Sequence, residues 1–431
     1  MRSIWQASTK LPSFPELKGD EKYDAVIVGG GIAGLLTAHF LTEGGVRCLV
    51  LEKNRICSGT TACTTGKITL QHGLIYSRLI ENFGIDKAEG YYLANREATE
   101  KYREMCKKID CDYEVRDNVV YSLTDRKRLE YEAAALAKFD TRVALIDDLP
   151  LPIATLGGVR VKDEAQFNPL KFLSKIAIGL NIRENTHVRD VEDGRVITNH
   201  GTVRADSVII ASHFPFIDRR GLYFLKMYQH RSYVLALEGA RIPGGMYVDE
   251  SGHGLSMRDY GDVLLLGGGG HRTGKQGGSY SYLSNFAKEH YPSSHELYRF
   301  ATQDCITLDG VPYIGKYSKS THALYAATGF NKWGMSGSMV AATIIADEIL
   351  GRKNDYANVF SPSRSILKPQ LFINALESAK NLLTPTAPRC PHLGCALKWN
   401  KAEHTWDCPC HGSRFDENGK NLDSPANRDL K

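Results

Sequence analysis

Four side chains near the end of the sequence have the types and spacing of a metal centre. They are Cys390 and His392, in Cys390-Pro391-His392-Leu393-Gly394-Cys395, and Cys408 and His411, in Cys408-Pro409-Cys410-His411-Gly412-Ser413. Two thiolates and two imidazoles satisfy a tetrahedral structural zinc. They also satisfy a 2Fe-2S cluster in which the thiolates hold one iron and the imidazoles the other. Zinc gives no role to the second cysteine of each loop, Cys395 and Cys410, nor to Gly412-Ser413. Between the loops, residues 396–400 and 405–408 read as strands turned at Asn400 to Glu403, with Trp399 and Trp406 placed to shield a cluster from water.

Together these positions resemble the Rieske family, and in particular the high-potential proteins of cytochrome bc complexes. The resemblance implies that Cys390 and Cys408 bind one iron, that His392 and His411 bind the other, and that Cys395 forms a disulfide with Cys410. Two features depart from the family. Where bc-type proteins usually carry a tyrosine that donates to a ligand sulfur, this chain has Phe415, which implies a lower potential within the Rieske range of roughly −150 to +300 mV. A complete Rieske domain also has several strands before its first ligand loop. Here residues 367–383 show helical periodicity, with apolar residues at Leu371, Phe372, Leu376, Leu382 and Leu383. The expectation is a truncated cluster domain that leans on the rest of the protein.

A second chemistry-bearing run lies near the other end. Gly29-Gly30-Gly31-Ile32-Ala33-Gly34 follows an apolar stretch, 23–28, that reads as a strand, and it opens a predicted helix reaching Glu43. A further predicted strand, 47–51, leads into Glu52 and Lys53. This is a dinucleotide-binding βαβ pattern: glycines admit a pyrophosphate to the backbone, the helix N-terminus faces it, and Glu52 can take ribose hydroxyls.

Downstream come Ser58-Gly59-Thr60-Thr61, Asp309-Gly310-Val311-Pro312-Tyr313-Ile314-Gly315, and a glycine-rich loop, Gly329 to Gly337, before a predicted helix over 338–350. Over residues 20–352 the chain resembles the FAD-dependent D-amino-acid oxidase, glycine oxidase and sarcosine dehydrogenase superfamily. That resemblance implies an FAD site built from Gly29, Gly31, Ile32, Ala33, Gly34, Glu52 and Lys53. It adds Ser58, Thr60 and Thr61 at the pyrophosphate and isoalloxazine, Val188 beside the adenine, and Ala211 at the end of a strand over 205–211. Gly329, Gly334, Met335, Ser336 and Gly337 complete it near the ribityl chain and ring.

The fold expected is α/β: a Rossmann-like FAD-binding domain with an α+β substrate domain, plus a small, truncated all-β Rieske cluster domain. Its parts are an N-terminal arm (1–20), a discontinuous FAD-binding domain (21–86, 156–215 and 300–352), and a substrate domain (87–155 and 216–299) whose mostly antiparallel sheet roofs the flavin. A helical linker (353–385) and the cluster domain (386–431) follow. Predicted helices span 87–109 and 125–139, with another starting at Asn168-Pro169; predicted strands span 113–123, 231–237 and 262–266. The arm, read as polar and containing Trp5, is expected on the surface.

At 431 residues the chain has room for these domains, and its net charge of +5 is spread without a basic run, which argues against nucleic acid. No stretch approaches the ~20 apolar residues of a membrane span. Residues 1–18 lack the pattern of a signal peptide, so a cytoplasmic location is expected. A disulfide is unusual there, and burial or a regulatory role must account for it. The cysteines at 48, 57, 63, 106, 111 and 305 show no metal spacing.

The substrate is read from few residues. Amino-acid-oxidising relatives often place a carboxylate-binding arginine five residues before the aspartate of the Asp309 motif. Asp304 stands there and suits a cation, a turn or a lysine pair, while Arg231 and Arg272 remain for an anionic substrate. Cys63 falls where dimethylglycine and sarcosine dehydrogenases carry a histidine linked to FAD, and it is either a thioether or a packed thiol. Lys67 either stabilises reduced flavin or lies on the surface. The candidate catalytic residues are therefore Lys67, Asp304 and Arg272. The expected function is an FAD-dependent dehydrogenase for a small amine or amino-acid-like substrate, passing electrons singly to the cluster and on to an external protein acceptor. The alternative is an electron-transfer or redox-sensing protein without a small-molecule substrate, its electrons entering from a donor protein.

Overall fold

The computed structural model describes residues 2–430 except 193, 218–219, 252–253 and 386–387. Among them the strands form three sheets. The first is built on Glu21–Val28, whose second half is wholly buried, as a run of Ala25, Val26, Ile27 and Val28 dictates for a strand covered on both faces. It pairs in parallel with Cys48–Leu51 and with Thr202–Ile210. Leu324–Thr328 and Tyr313–Lys316 extend one side, and Ile182–Arg183 closes the other. The helices Ile32–Glu43 and Gly334–Ile349 pack together against this sheet. A Cβ at Gly34 would stand 1.9 Å from the Gly29 carbonyl oxygen, so only glycine lets the first helix leave its loop so tightly.

The second sheet runs His295–Thr307, Met227–Glu238, Val263–Arg272, Ser256–Tyr260, Gly245–Asp249, Glu114–Tyr121, Gly158–Gln166 and Lys67–Ile68, with Val143–Ile146 also paired to Gly158–Gln166. One pairing, Gly245–Asp249 with Glu114–Tyr121, is parallel. Three segments depart from the expected division. Lys67–Ile68 and Gly158–Gln166, expected in the FAD-binding domain, pair in this roof sheet, and His295–Thr307 crosses the expected boundary at 300. Alternating polarity reveals which face of a strand is buried but not which sheet it joins. The predicted helices appear as Ile85–Cys106 and Arg126–Leu136, the second capped by Asp125. Pro169–Ile176 is capped by Asn168 with proline in its first turn.

The N-terminal arm runs along the surface, but it is anchored there rather than loosely draped. A short helix, Ile4–Ser8, buries Trp5 completely, and the indole Nε1 donates to the Thr64 carbonyl at 2.6 Å. The arm is held because the roof sheet places a buried guanidinium there. Arg258 lies 5.3 Å from the Trp5 ring, and among the described residues its nitrogens have no hydrogen-bond partner.

The third sheet is small: Lys398–Asn400, Thr405–Asp407, Arg414–Asp416 and Asn421–Asp423 in antiparallel order. The helix Pro369–Leu383 precedes it, as the periodicity predicts. Among the described residues no helix is long and apolar enough to cross a membrane.

Candidate functional site

A cavity of about 1720 Å³ opens between the three sheets. That exceeds the roughly 300–1,000 Å³ of most small-ligand pockets and leaves room for a dinucleotide with a second molecule. Gly29, Gly31, Ile32, Ala33, Glu52, Lys53, Ser58, Thr60, Thr61, Val188, Ala211, Gly329, Gly334 and Met335 all line it. Glu52 is fixed beneath the glycine loop, accepting from the Gly30 amide at 2.7 Å and the Asn54 amide at 2.8 Å. Thr61 Oγ1 accepts from the Ile32 amide at 3.1 Å and so ties the Ser58–Thr61 segment to the first helix. The glycine loop, carboxylate and cavity size fit a bound FAD. Three expected residues lie behind the wall. Gly34 serves the packing described above, Gly337 leaves space for the Phe330 ring, and Ser336 Oγ bonds His72 Nε2 at 2.8 Å.

The polar groups of the cavity differ in their freedom. Lys67 Nζ donates to Ser256 Oγ, and burial, aided by Arg258, brings its ammonium down to about 7. Asp304 lines the cavity; burial raises its carboxyl, while Lys332, His213 and Arg231 act to lower it. The Cys63 thiol, pushed up to about 11 by burial, stays protonated at neutral pH as a packed thiol does. His213 was not visible as a candidate in the sequence. It follows the strand Thr202–Ile210, has φ of +68°, and lines the cavity with an Nε2 that has no hydrogen-bond partner among the described residues. Its carbonyl accepts from Thr328 Oγ1 at 2.5 Å and from Cys305 Sγ at 3.5 Å, which holds the backbone in this uncommon conformation. His72 is the other addition: burial lowers it to about 3, and its neutral ring stacks on Trp333 at 5.1 Å.

In the third sheet the two ligand loops face each other. Cys390 and Cys408 are buried, and the His392 and His411 rings lie 5.0 Å apart at 85°. Each loop is a closed turn: the Gly394 amide donates to the Cys390 carbonyl and the Gly412 amide to the Cys408 carbonyl, both at 2.9 Å. Both glycines sit at positive φ, +79° and +85°. Cys395 and Cys410 form the disulfide across the loops. Their sulfurs lie near that of Cys408, but being bonded to each other they are not free ligands. What remains is two thiols and two imidazoles, with His411 Nδ1 buried and unpartnered among the described residues, and this donor set fits the two-thiolate, two-imidazole cluster. The expected shielding by both tryptophans is corrected. Trp399 is exposed and its ring meets that of Trp406 at 5.1 Å, tilted by 60°, while Phe415 fills the domain core and Phe224 meets the His411 ring edge-on at 5.9 Å.

Comparison with known families agrees with this geometry. Residues 24–348 match the FAD dependent oxidoreductase family and residues 363–431 the Rieske [2Fe-2S] domain. The chain belongs to the FAD-dependent oxidoreductase family. A Bacillus subtilis (strain 168) protein described as a Rieske 2Fe-2S iron-sulfur protein, YhfW, is 34% identical over all of this chain and 97% of its own. The tail alone, 10% of the chain, is 52% identical to 24% of the cytochrome b6-f complex iron-sulfur subunit 2 of Trichormus variabilis (strain ATCC 29413 / PCC 7937). Glycine oxidase from Geobacillus kaustophilus shares the fold of 80% of this chain and 99% of its own, with TM-score 0.66 at 18% identity. The cofactors are accordingly FAD and a Rieske 2Fe-2S cluster.

In this flavoprotein the Rieske domain completes the cavity. Glu403, Thr405, Arg414, Asn421, Asp423 and Asn427 belong to its wall. Lys53, expected only at the cofactor, donates to Asn421 Oδ1 at 2.7 Å, and Arg189 donates to the Asn427 carbonyl at 2.9 Å. The two arginines expected to serve an anionic substrate are instead engaged by the cluster domain. Arg231 forms a buried ion pair with Glu403, itself held by Arg414 at 3.0 Å. Arg272 donates to the Pro409 carbonyl at 3.3 Å and to Asn374 Oδ1 at 3.0 Å. Arg272 also lines the cavity, so its guanidinium is shared between that wall and the cluster domain. Two glutamines finish the joint: Gln229 Nε2 donates to the His411 carbonyl at 2.7 Å and Gln303 Nε2 to the Gly412 carbonyl at 2.8 Å. Gln303 also lines the cavity, so a single side chain touches both the flavin cavity and a ligand loop.

Proposed function

We propose that the protein is a dehydrogenase that oxidises a small amine or amino-acid-like substrate and sends the electrons singly through its Rieske cluster to an external protein acceptor. The observation that carries this reading is the joint at Gln303, where the wall of the flavin cavity is hydrogen-bonded to the cluster's second ligand loop. When bound, FAD supplies a two-electron acceptor and the cluster a one-electron outlet.

The chain's own residues have positional and protonic roles. The loop at Gly29 and Gly31 would hold the pyrophosphate, Glu52 the ribose, and Gly329, Gly334 and Met335 the distal part of the cofactor. Asp304 offers a carboxylate to a cationic nitrogen. His213, kept neutral by burial, offers Nε2 to the proton that nitrogen must lose before its neighbouring C–H can leave with its electron pair. Lys67 contributes partial positive charge at neutral pH to the same cavity. The Rieske domain supplies part of the wall around these groups.

Anaerobic titration tests the reading. A panel of primary and secondary amines and amino acids is added to the holoprotein while flavin absorbance and the EPR signal of the reduced cluster are followed. Bleaching of the flavin by one class, followed by the cluster signal, is the expected result. Reduction by protein donors alone would replace the dehydrogenase with an electron carrier.

A further inference from the structure

The helix Pro369–Leu383 is inside out. Its polar residues Gln370, Asn374, Glu377 and Asn381 recur at helical spacing and face the protein. Asn374 accepts from Arg272, Glu377 pairs with Lys275 at 2.6 Å, and the Asn381 carbonyl accepts from the Ala396 amide at 3.0 Å. On the opposite face, Phe372, Leu376 and Leu383 are 65%, 70% and 82% exposed. A helix packed on a globular body normally has the reverse polarity.

This stripe continues into the cluster. Arg389 donates both to the Leu382 carbonyl at 3.1 Å and to the Gly394 carbonyl at 2.8 Å, binding the helix end to the first ligand loop. Leu393, the neighbour of ligand His392, is exposed beside it. Exposed charge in this stretch of the chain is of one sign. Between Glu377 and Glu403 there is no acidic residue, while Lys380, Arg389, Lys398 and Lys401 are all exposed.

We propose that the face formed by Phe372, Leu376, Leu383 and Leu393 is the docking surface for an acidic one-electron carrier protein. The proposal rests on reading the cluster as the electron outlet and adds where the acceptor binds and what its surface carries. Contiguous exposed apolar groups mark a protein-binding site. The basic rim selects a partner of opposite charge and speeds its approach. Docking there sets the partner against the loop of His392. One electron passes from the reduced cluster to the oxidised centre of the partner, with no bond made or broken.

The test uses the holoprotein with its cluster reduced photochemically, so the substrate need not be known. Oxidation is followed against ferric cytochrome c, whose surface is cationic, and against its succinylated, anionic form. The anionic form is expected to react at least tenfold faster at low ionic strength and to lose that advantage as salt is added. L376E and the double variant K380E/K398E should each slow the anionic form about tenfold, leaving the cluster EPR spectrum and its oxidation by a small neutral quinone unchanged. Equal rates for both cytochromes, or variants that behave as wild type, would overturn the proposal. So would a dimer that L376E dissociates, or binding of the face to anionic phospholipid vesicles. If the amine titration fails while this test succeeds, the dehydrogenase reading falls and the surface stands.

Discussion

His213 occupies a left-handed backbone conformation that costs a non-glycine residue on the order of 1 kcal/mol, and such strain tends to persist where function keeps it. Its charged neighbours are Asp304 and Asp423, which favour the protonated ring, and Arg231, which opposes it; burial outweighs them and keeps the ring neutral. Because the neutral form is the acceptor, flavin reduction should rise with pH through a value below the usual 6.5 of histidine and then level off. Substituting His213→Gln should remove that dependence and slow substrate-driven flavin reduction by about 10²–10⁴ in stopped-flow measurements. Lys67 gives a prediction about stability. Its ammonium is lowered from 10.5 to about 7, so between those values the unfolded chain binds the extra proton, and stability rises with pH across that window. Lys67→Met should therefore stabilise the apoprotein at pH 6, by up to about 5 kcal/mol, and have little effect near pH 11, as read from urea midpoints.

At the scale of elements, the joint between strand and ligand loop is the sensitive one. Gln229→Leu deprives the buried His411 carbonyl of a donor, a loss costing about 1–3 kcal/mol, and the part-buried Ser424 carbonyl of another. The expected outcome is earlier proteolytic cleavage ahead of the cluster domain and slower electron passage from flavin to cluster, measured by limited proteolysis and by EPR of rapidly frozen samples. Trp5→Ala should cost about 3–5 kcal/mol in chemical denaturation, since it empties a fully buried site and uncovers Arg258. Locally encoded elements were legible in advance. The glycine loop and its flanking strands, the Asp125 cap and the Asn168-Pro169 helix start depend only on near neighbours, and so did the two cysteine-histidine loops. What could not be read depends on distant partners. Trp5 looked like a surface residue because Arg258 lies far off in sequence, and 158–166 looked like part of the flavin fold because a strand's pattern does not name its sheet. Arg231 and Arg272 carry charge suited to a substrate, and only the docked tail shows where that charge is used. His213 had no signal beyond its side chain, since nothing in the residue type announces a positive φ.

For the whole molecule, the cavity belongs to no single domain. Lys53 and Asn421, 368 residues apart, meet across its rim, so the cluster domain helps to enclose whatever the glycine loop binds. Enclosure of one cofactor by the domain that carries the other couples their binding, and the coupling is reciprocal: each strengthens the other's binding by the same free energy. Removing iron with a chelator should loosen the Rieske loops and raise the FAD dissociation constant several-fold, measurable by flavin fluorescence on dilution, while apoflavin protein should yield its iron faster than the holoprotein.

That seam also governs maturation. A growing chain can shape its nucleotide fold early, but the wall at Asn421 to Asn427 is laid only after the cluster loops have been made. Flavin bound before then sits in an open vessel, and iron–sulfur delivery becomes the step that seals it in.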